Sequence, residues 1–261
     1  MKKMIKGIIL DWAGTTIDFG SFAPVAAFME AFMSFGISPT VEEIRMPMGM
    51  QKRAHIEAML AGKRLSAQWF EKFGRTYTAE DIDRIYARFE PALFKVLRDY
   101  TRPLPGVIST VAKIKRMGIR IGSTTGYTTA MMAVVAQVSG ARGYSPDYIV
   151  CPDEVGGIGR PYPYMLWRNL EKMGIASIEE VIKVGDTAAD MEEGKNAGCI
   201  SVGIVMGSNM LGLCEAEYGS LTASDLAALS GRTRSRFFDA GADYVIEDIT
   251  GLPALITTLN Q

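Results

Sequence analysis

Carboxylate and hydroxyl side chains follow several short apolar runs of this 261-residue chain. Asp11 follows the first run, Thr124 and Thr125 follow the second, and Asp186 follows a later one. If these runs are parallel strands, their carboxyl ends meet at one edge of a sheet, where ligands bind. The hydroxyls stand beside Gly126 at a predicted helix start, which suits a phosphate group held by N–H and O–H donors. The pattern predicts a phosphate site that contains carboxylates.

A second candidate group lies in the segment P-M-G-M-Q-K-R-A-H, which ends at His55. Lys52 is near a predicted helix start, and His55 is three residues later on the same helical face. The helix dipole and Arg53 both disfavour an ammonium group, and a neutral lysine can form a Schiff base with a carbonyl compound. A solvated lysine and an ordinary histidine explain the same residues, so spacing leaves both interpretations open.

The composition limits the possible functions. Hydrophobic residues make up 48% of the chain, and 28 Lys and Arg stand against 29 Asp and Glu. Such a near-neutral globular chain carries no electrostatic footprint for nucleic acid or an anionic membrane, so we expect a small-molecule partner. A single histidine excludes a centre of several imidazoles, and the three cysteines have no C-x-x-C spacing. The initial apolar segment is too short for a membrane span, and we expect a cytoplasmic protein.

Alternating strand and helix patterns predict an α/β fold with a parallel sheet covered on both faces. One stretch contains helical patterns only, and we predict that it is an all-helical insertion, residues 22–101, placed after the first strand. Residues 1–21 and 102–261 then form the core domain. The predicted strands are Ile5–Leu10, Ile119–Ser123, Tyr148–Cys151, Val181–Val184, Ile200–Val205 and Tyr244–Ile246.

The helices of the insertion have recognisable boundaries. Capping boxes begin at Thr40 and Thr78, and a third helix start is predicted at Ser66. Pro91 should kink or divide the last helix.

Arg160 completes a set of features that resembles the haloacid dehalogenase superfamily. The first aspartate, the hydroxyl loop, a later cation and the acidic pair occur there in this order on alternating strands and helices. The resemblance implies a Rossmann-like core with a helical cap and makes Asp11 the nucleophile that becomes an aspartyl-phosphate. It also implies a Mg²⁺ held by Asp11, the backbone carbonyl of Ala13 and Asp186, with Asp190 supporting the acidic loop.

Ala13 departs from the phosphatases of this superfamily, which place a second aspartate there as general acid. A methyl group cannot protonate a leaving alcohol, and loss of a general acid costs about 10² to 10⁴ in rate. The substrate therefore has another kind of leaving group, or the chain is a non-catalytic relative.

The motifs D-W-A-G-T-T, P-M-G-x-x-K-x-x-H, G-S-T-T-G-Y and G-R-P-Y-P together resemble the phosphonatase branch of the superfamily. That resemblance implies cleavage of the C–P bond of phosphonoacetaldehyde, formed in 2-aminoethylphosphonate degradation, through a Lys52 Schiff base, with His55 moving protons. Thr125, Gly126, Arg160 and Met48 then bind substrate, although Thr124 competes with Thr125 as the phosphate ligand.

Three other expectations remain. Relatives in this branch form dimers, so the resemblance predicts a homodimer. Ser21 stands at the mouth of the insertion, where some relatives carry cysteine, but it is not predicted to be catalytic. A phosphomonoester hydrolase, a dehalogenase that needs no Mg²⁺ and a phosphate-binding protein without turnover are the alternative functions.

Overall fold

The computed structural model of the protein describes residues 4–261. Six parallel strands form one sheet in the order β3-β2-β1-β4-β5-β6, which confirms the predicted α/β fold. Their bounds are β1 Gly7–Leu10, β2 Arg120–Thr124, β3 Tyr148–Val150, β4 Val181–Gly185, β5 Ile200–Ile204 and β6 Tyr244–Ile246. All four residues of β1 are buried, as expected for a central strand covered on both faces.

Seven α-helices accompany the strands. Glycine in the left-handed conformation follows two of them, Gly174 after the helix Tyr164–Met173 and Gly198 after the helix Ala188–Ala197, and ends each helix. These helices are α6 Val107–Arg116, α7 Thr129–Ala141, α8 Tyr164–Met173, α9 Ala188–Ala197, α10 Glu215–Ser220, α11 Ala223–Asp239 and α12 Leu252–Asn260.

Five further helices lie between β1 and β2, and this stretch contains no strand. Phe28 of α1 stacks on Phe89 of α5 with ring centroids 4.2 Å apart, and both rings are fully buried. The helices of the insertion thus pack on one another, and their buried apolar residues are continuous with those of the sheet domain. The five helices are α1 Phe22–Met33, α2 Val41–Arg45, α3 Lys52–Ala61, α4 Lys63–Phe73 and α5 Ala79–Val96.

Helix boundaries in the insertion follow local capping more closely than proline position. The capping boxes at Thr40 and Thr78 are both present. The predicted start at Ser66 is wrong, because α4 already begins at Lys63, after Gly62. Pro91 does not divide α5, which continues to Val96.

The chain enters the insertion through a tight turn. The carboxylate of Asp18 accepts hydrogen bonds from the backbone N–H groups of Phe22 and Ala23, which lie at the start of α1. Burial raises the pKa of Asp18 to about 7. Both Asp18 and Ser21 have positive φ, a conformation that costs free energy in non-glycine residues and that this turn imposes.

Within residues 4–261, the longest apolar helical stretches fall short of what a membrane span requires.

Candidate active site

Three adjacent strands bring the predicted core residues together. Leu10 at the end of β1 pairs with Ser123 of β2 on one side and with Val184 of β4 on the other. The loops that follow these strands therefore leave the sheet side by side, with the loop of Asp11 in the middle. Carboxylate oxygens of Asp11, Asp186 and Asp190 lie within 4.8 Å of one another, and all three residues are buried.

The insertion reaches this edge of the sheet through the segment that precedes α3. A Cβ atom on Gly126 would lie 2.4 Å from the carbonyl oxygen of Met50, so only glycine allows the two backbones to come so close. Gly49 has a φ of +92°, and a Cβ there would meet Thr187 of the acidic loop. The segment thus packs against two core loops and places Lys52, the first residue of α3, above Asp11 and its neighbours.

Core and insertion enclose a cavity of about 20 Å³. Such a volume holds about one water molecule and is too small for a ligand of several heavy atoms. Seven of the ten predicted site residues line the cavity; His55, Asp186 and Asp190 do not. The lining residues are Asp11, Ala13, Ser21, Pro24, Met48, Gly49, Lys52, Thr125, Gly126, Tyr127, Arg160 and Thr187.

Lys52 is buried beside aromatic rings. Its Nζ lies 5.0 Å from the ring centre of Tyr127 and 5.9 Å from that of Phe28. Burial is the main reason why the pKa of Lys52 falls to about 8, and Arg160 lowers it further, whereas the carboxylate of Asp11 raises it. Roughly one lysine in ten would then carry a free amine at pH 7, compared with fewer than about one in a thousand at the ordinary pKa.

His55 is fully buried behind Lys52 and shares the same helix face. Its ring stacks on Phe28 with centroids 4.0 Å apart, and Nε2 lies 2.8 Å from the carbonyl oxygen of Ile44. Nε2 therefore carries the ring proton and donates a hydrogen bond to that oxygen. Nδ1 is left as a buried acceptor without a partner among the described residues. Burial and the charge of Lys52 hold the pKa of His55 well below its ordinary value, so the ring is neutral.

Arg160 is fully buried and links the predicted nucleophile to the acidic loop. Its Nη2 donates to Asp11 Oδ1 at 2.7 Å and to Thr124 Oγ1 at 2.7 Å, and Nη1 lies 3.1 Å from Asp190 Oδ1. Nη1 also donates to the carbonyl oxygen of Gly49 at 3.4 Å, which connects the cation with the insertion.

The two candidate phosphate ligands differ in their hydrogen bonds. Thr124 Oγ1 accepts from Arg160 and from Lys183 and donates to Glu193 at 3.0 Å, so its hydrogen-bonding capacity is used inside the core. Thr125 lines the cavity, and its hydroxyl oxygen accepts a hydrogen bond from the backbone N–H of Tyr127 at 3.1 Å. Its O–H group remains available to donate a hydrogen bond to a ligand. This difference favours Thr125 as the residue that meets a ligand.

The acidic residues form a site suited to a hard divalent cation. Burial, together with the carboxylates of Asp11 and Asp190, raises the pKa of Asp186 well above its ordinary value, because the negative charges are poorly balanced. The fully charged cluster would have four carboxylates against two cations, an excess of two negative charges. Oxygen ligands of this kind fit Mg²⁺. The charged residues are Asp11, Asp186, Asp190, Glu193, Arg160 and Lys183.

Asn209, which the sequence analysis missed, joins Asp186 to the insertion. Its backbone N–H donates to Asp186 Oδ2 at 2.8 Å. Its side chain accepts from Arg45 Nη1 at 2.9 Å and donates to the carbonyl oxygen of Arg45 at 3.0 Å. Ser21, at the N-terminus of α1, also approaches Asp186, with Oγ 3.5 Å from Oδ2.

Lys183 and Glu193, which the sequence analysis also missed, are fully buried beneath the site. Lys183 could have been noticed as a charge inside an apolar strand. Glu193 lies one turn after Asp190 on α9, but no local signal distinguishes it from its neighbour Glu192. Asn209 belongs to a loop after β5 that carries no recognisable motif.

Comparisons with known proteins identify the family of this chain. The model of the haloacid dehalogenase-like hydrolases matches residues 5–198. Phosphonoacetaldehyde hydrolase of Lysinibacillus sphaericus is 45% identical over 257 residues, which cover 98% of this chain and 96% of that protein. A bifunctional phosphonoacetaldehyde hydrolase/aminoethylphosphonate transaminase of Clostridioides difficile is 44% identical, and the match covers the whole of this chain and 42% of that protein.

A solved structure is similar over nearly the whole chain. The crystal structure of a phosphonoacetaldehyde hydrolase-like protein from Oleispira antarctica has a TM-score of 0.96 at 36% sequence identity. The match covers 99% of this chain and 94% of that one. The chain therefore belongs to the haloacid dehalogenase-like hydrolases and, among them, to the phosphonoacetaldehyde hydrolase family.

Proposed function

We propose that this chain hydrolyses the C–P bond of phosphonoacetaldehyde to acetaldehyde and phosphate during 2-aminoethylphosphonate degradation. The observation that carries the proposal is a buried lysine of lowered pKa in the same closed cavity as a carboxylate nucleophile, Asp11. The names of the relatives support it, including the bifunctional protein whose second named activity is an aminoethylphosphonate transaminase.

The first step is capture of the aldehyde by Lys52. The free amine attacks the aldehyde carbon, one proton is taken up, water leaves, and an iminium ion forms on Nζ. The aromatic and apolar surroundings of Lys52 favour the amine over the ammonium group before attack. Met48 and Tyr127, which line the cavity, would border the aldehyde.

The second step transfers the phosphoryl group to Asp11. A carboxylate oxygen attacks phosphorus, the C–P bond breaks, and its electron pair moves to the iminium nitrogen, so that the departing fragment is a neutral enamine. Protonation of an alcohol oxygen is not needed, which accounts for Ala13 in place of an acid. Water then hydrolyses the aspartyl-phosphate and releases phosphate. The enamine takes a proton on carbon and is hydrolysed to acetaldehyde.

Other residues bind and move protons. Thr125, Gly126 and Arg160 would hold the phosphonate, since the first two line the cavity and the guanidinium is already fixed beside Asp11. His55 would carry protons during imine and enamine interconversion, because Nδ1 of its neutral ring has no hydrogen-bond partner among residues 4–261. Protons would pass between Nδ1 of His55 and the imine or enamine formed on Lys52.

A Mg²⁺ held by Asp11, the carbonyl of Ala13 and Asp186, with Asp190 supporting the loop, would neutralise charge on the phosphoryl group. The raised pKa of Asp186, caused by burial and by the neighbouring carboxylates of Asp11 and Asp190, supports this assignment because a bound cation would balance these carboxylates.

We also propose that residues 22–101 act as a cap that opens to admit substrate, and that the protein works as a cytoplasmic homodimer. The packing of the insertion helices on one another and the very small cavity between insertion and core support the cap.

Borohydride trapping tests the proposal. Incubation with phosphonoacetaldehyde and borohydride should abolish phosphate release and leave a reduced adduct on the peptide that contains Lys52. Full activity without an adduct would overturn the Schiff-base mechanism. Turnover of a panel of phosphonates, phosphate esters and halocarboxylates, measured with and without chelator, distinguishes the alternatives. Faster hydrolysis of esters would indicate a phosphatase, and dehalogenation that is insensitive to chelator would indicate a dehalogenase. Absence of turnover would indicate a binding protein.

A further inference from the structure

Two buried charges lie beneath Asp11 and have no part in the mechanism proposed above. Lys183 of β4 and Glu193 of α9 are both completely shielded from solvent. Burial of an ion pair often costs more free energy than the pair recovers, so such residues are weak evidence of stabilisation. Their contacts indicate another role.

Glu193 holds one edge of the Arg160 guanidinium. Its Oε2 accepts from Arg160 Nε at 2.9 Å, and the same oxygen accepts from Thr124 Oγ1 at 3.0 Å. Lys183 Nζ lies 3.2 Å from this oxygen.

Lys183 fixes the groups around that edge. Its Nζ donates to Thr124 Oγ1 at 2.8 Å and lies 2.8 Å from Asp190 Oδ1. The hydroxyl of Thr124 is thereby held in one orientation, in which it accepts from Arg160 Nη2 and donates to Glu193.

The guanidinium group of Arg160 consequently has a single orientation. Nε meets Glu193, Nη1 faces Asp190, and Nη2 points at Asp11 Oδ1. Because the guanidinium group is planar and rigid, fixing the position of one edge also fixes the positions of the other two. The oxygen of Asp11 that faces Arg160 is fixed in turn, which presents the carboxylate to phosphorus.

We propose that Glu193 and Lys183 are positioning residues that act through Arg160 to align Asp11 for attack on phosphorus. The proposal rests on the proposed C–P cleavage and concerns its second step only. Within residues 4–261, Lys52 Nζ takes part in none of the hydrogen bonds or ion pairs of this network, so imine formation should not depend on it.

The test compares Glu193→Gln with Glu192→Gln, the same change one residue earlier on the exposed face of α9. We expect kcat for phosphate release in Glu193→Gln to fall about 100-fold, the order of loss for a reacting group displaced by about 1 Å. The KM for phosphonoacetaldehyde should change by less than about threefold, since Thr125, Gly126 and Lys52 still bind the substrate. Borohydride trapping at Lys52 should proceed at the wild-type rate, and Glu192→Gln should match wild type in every measurement.

A second variant addresses misfolding. Lys183→Met combined with Glu193→Gln removes one charge of each sign, so the buried charge balance is kept while Arg160 Nε loses its anionic acceptor. This variant should unfold at a higher temperature than Glu193→Gln and remain slow in phosphate release. Recovery of wild-type kcat in the double variant would overturn the positioning role.

Two further results would also contradict the inference: wild-type kcat in Glu193→Gln, or a parallel loss of trapping and turnover, which is the signature of a merely structural role. Failure of the proposed function is distinguishable, because wild type itself would then neither cleave phosphonoacetaldehyde nor form an adduct.

Discussion

Charge is handled in opposite ways by the core and the insertion. In the core, Arg160 is fully buried and is paired with Asp11, Asp190 and Glu193 at 2.7 to 3.1 Å. In the insertion, Lys52 is also buried but, within residues 4–261, forms no ion pair and lies beside aromatic rings. Pairing stabilises the charged form of a buried cation, whereas unpaired apolar burial favours its neutral form. The pKa shifts agree, since that of Arg160 rises and that of Lys52 falls.

In the proposed mechanism, this difference separates two chemical tasks. Phosphoryl transfer needs fixed charges around phosphorus, because catalysis there depends on positioning and electrostatic stabilisation. Imine formation needs an uncharged amine. Two adjacent regions with different surroundings provide the fixed charges and the uncharged amine within one cavity. Each region can therefore be altered separately by substitution.

The largest effect is expected from Lys52→Arg, which retains the positive charge but removes the nucleophilic amine. Phosphate release should fall by at least about 10⁴-fold, the order of loss when a covalent catalytic group is removed. Circular dichroism should show an intact fold, and Lys63→Arg, an exposed change on α4, is the control. Near-normal turnover in Lys52→Arg would mean that the amine of the insertion is not used.

Asp186→Asn tests the core alone. Loss of one carboxylate ligand should weaken Mg²⁺ binding by at least about 100-fold in a calorimetric titration, because even the partners of ligands contribute up to that factor. Without Mg²⁺ the melting temperature of the variant should lie a few degrees above that of wild type, since an uncharged amide replaces a poorly balanced buried acid. Each kcal/mol of added stability corresponds to about 2–4 °C.

The control for that variant is Asp239→Asn, which alters an exposed carboxylate at the end of α11. Unchanged Mg²⁺ affinity in Asp186→Asn would place the cation elsewhere.

Gly126→Ala tests the contact between the regions. The added Cβ would lie 2.4 Å from the carbonyl oxygen of Met50, so the insertion must shift away from the core. We expect kcat/KM to fall about 100-fold, as for a misplacement of about 1 Å. Gly140→Ala, where a Cβ would meet nothing within 4 Å, should behave as wild type. Equal activity of the two variants would show that close approach of the backbones is dispensable.

The smallest effect concerns pH. Because only the amine of Lys52 reacts, the rate of borohydride trapping should rise about tenfold per pH unit below its inflection and level off above it. That inflection should lie near pH 8. Asp11→Asn blocks C–P cleavage and removes a carboxylate that raises the pKa of Lys52, so the inflection should move to lower pH. An inflection near the ordinary lysine pKa, or a shift to higher pH, would contradict the role of apolar burial.

Sequence patterns predicted the residues of the core site better than the buried charged residues that lie beneath them. Asp11, Thr125 and Asp186 could be found because each follows a strand, and the order of strands in a parallel sheet brings such residues together. Lys183 and Glu193 meet because β4 and α9 pack together, and side-chain contacts of that kind leave no spacing rule in the chain.

The insertion was predictable as helical but not as a contact surface. Lys52 and His55 share a helix face by spacing, whereas their apolar surroundings depend on Phe28 of a different helix. Asn209 and Arg45 form bonds between core and insertion that only the three-dimensional arrangement reveals.

The methyl group of Ala13 has a consequence for selectivity among metabolites. On the proposed mechanism, a phosphate ester that entered the cavity would meet the nucleophile and the bound cation but no acid to release its alcohol. Such an ester would act as a reversible inhibitor and would not be consumed. Discrimination between phosphonates and the ordinary phosphorylated compounds of a cell would then arise from a missing proton, with no need for a pocket that excludes them.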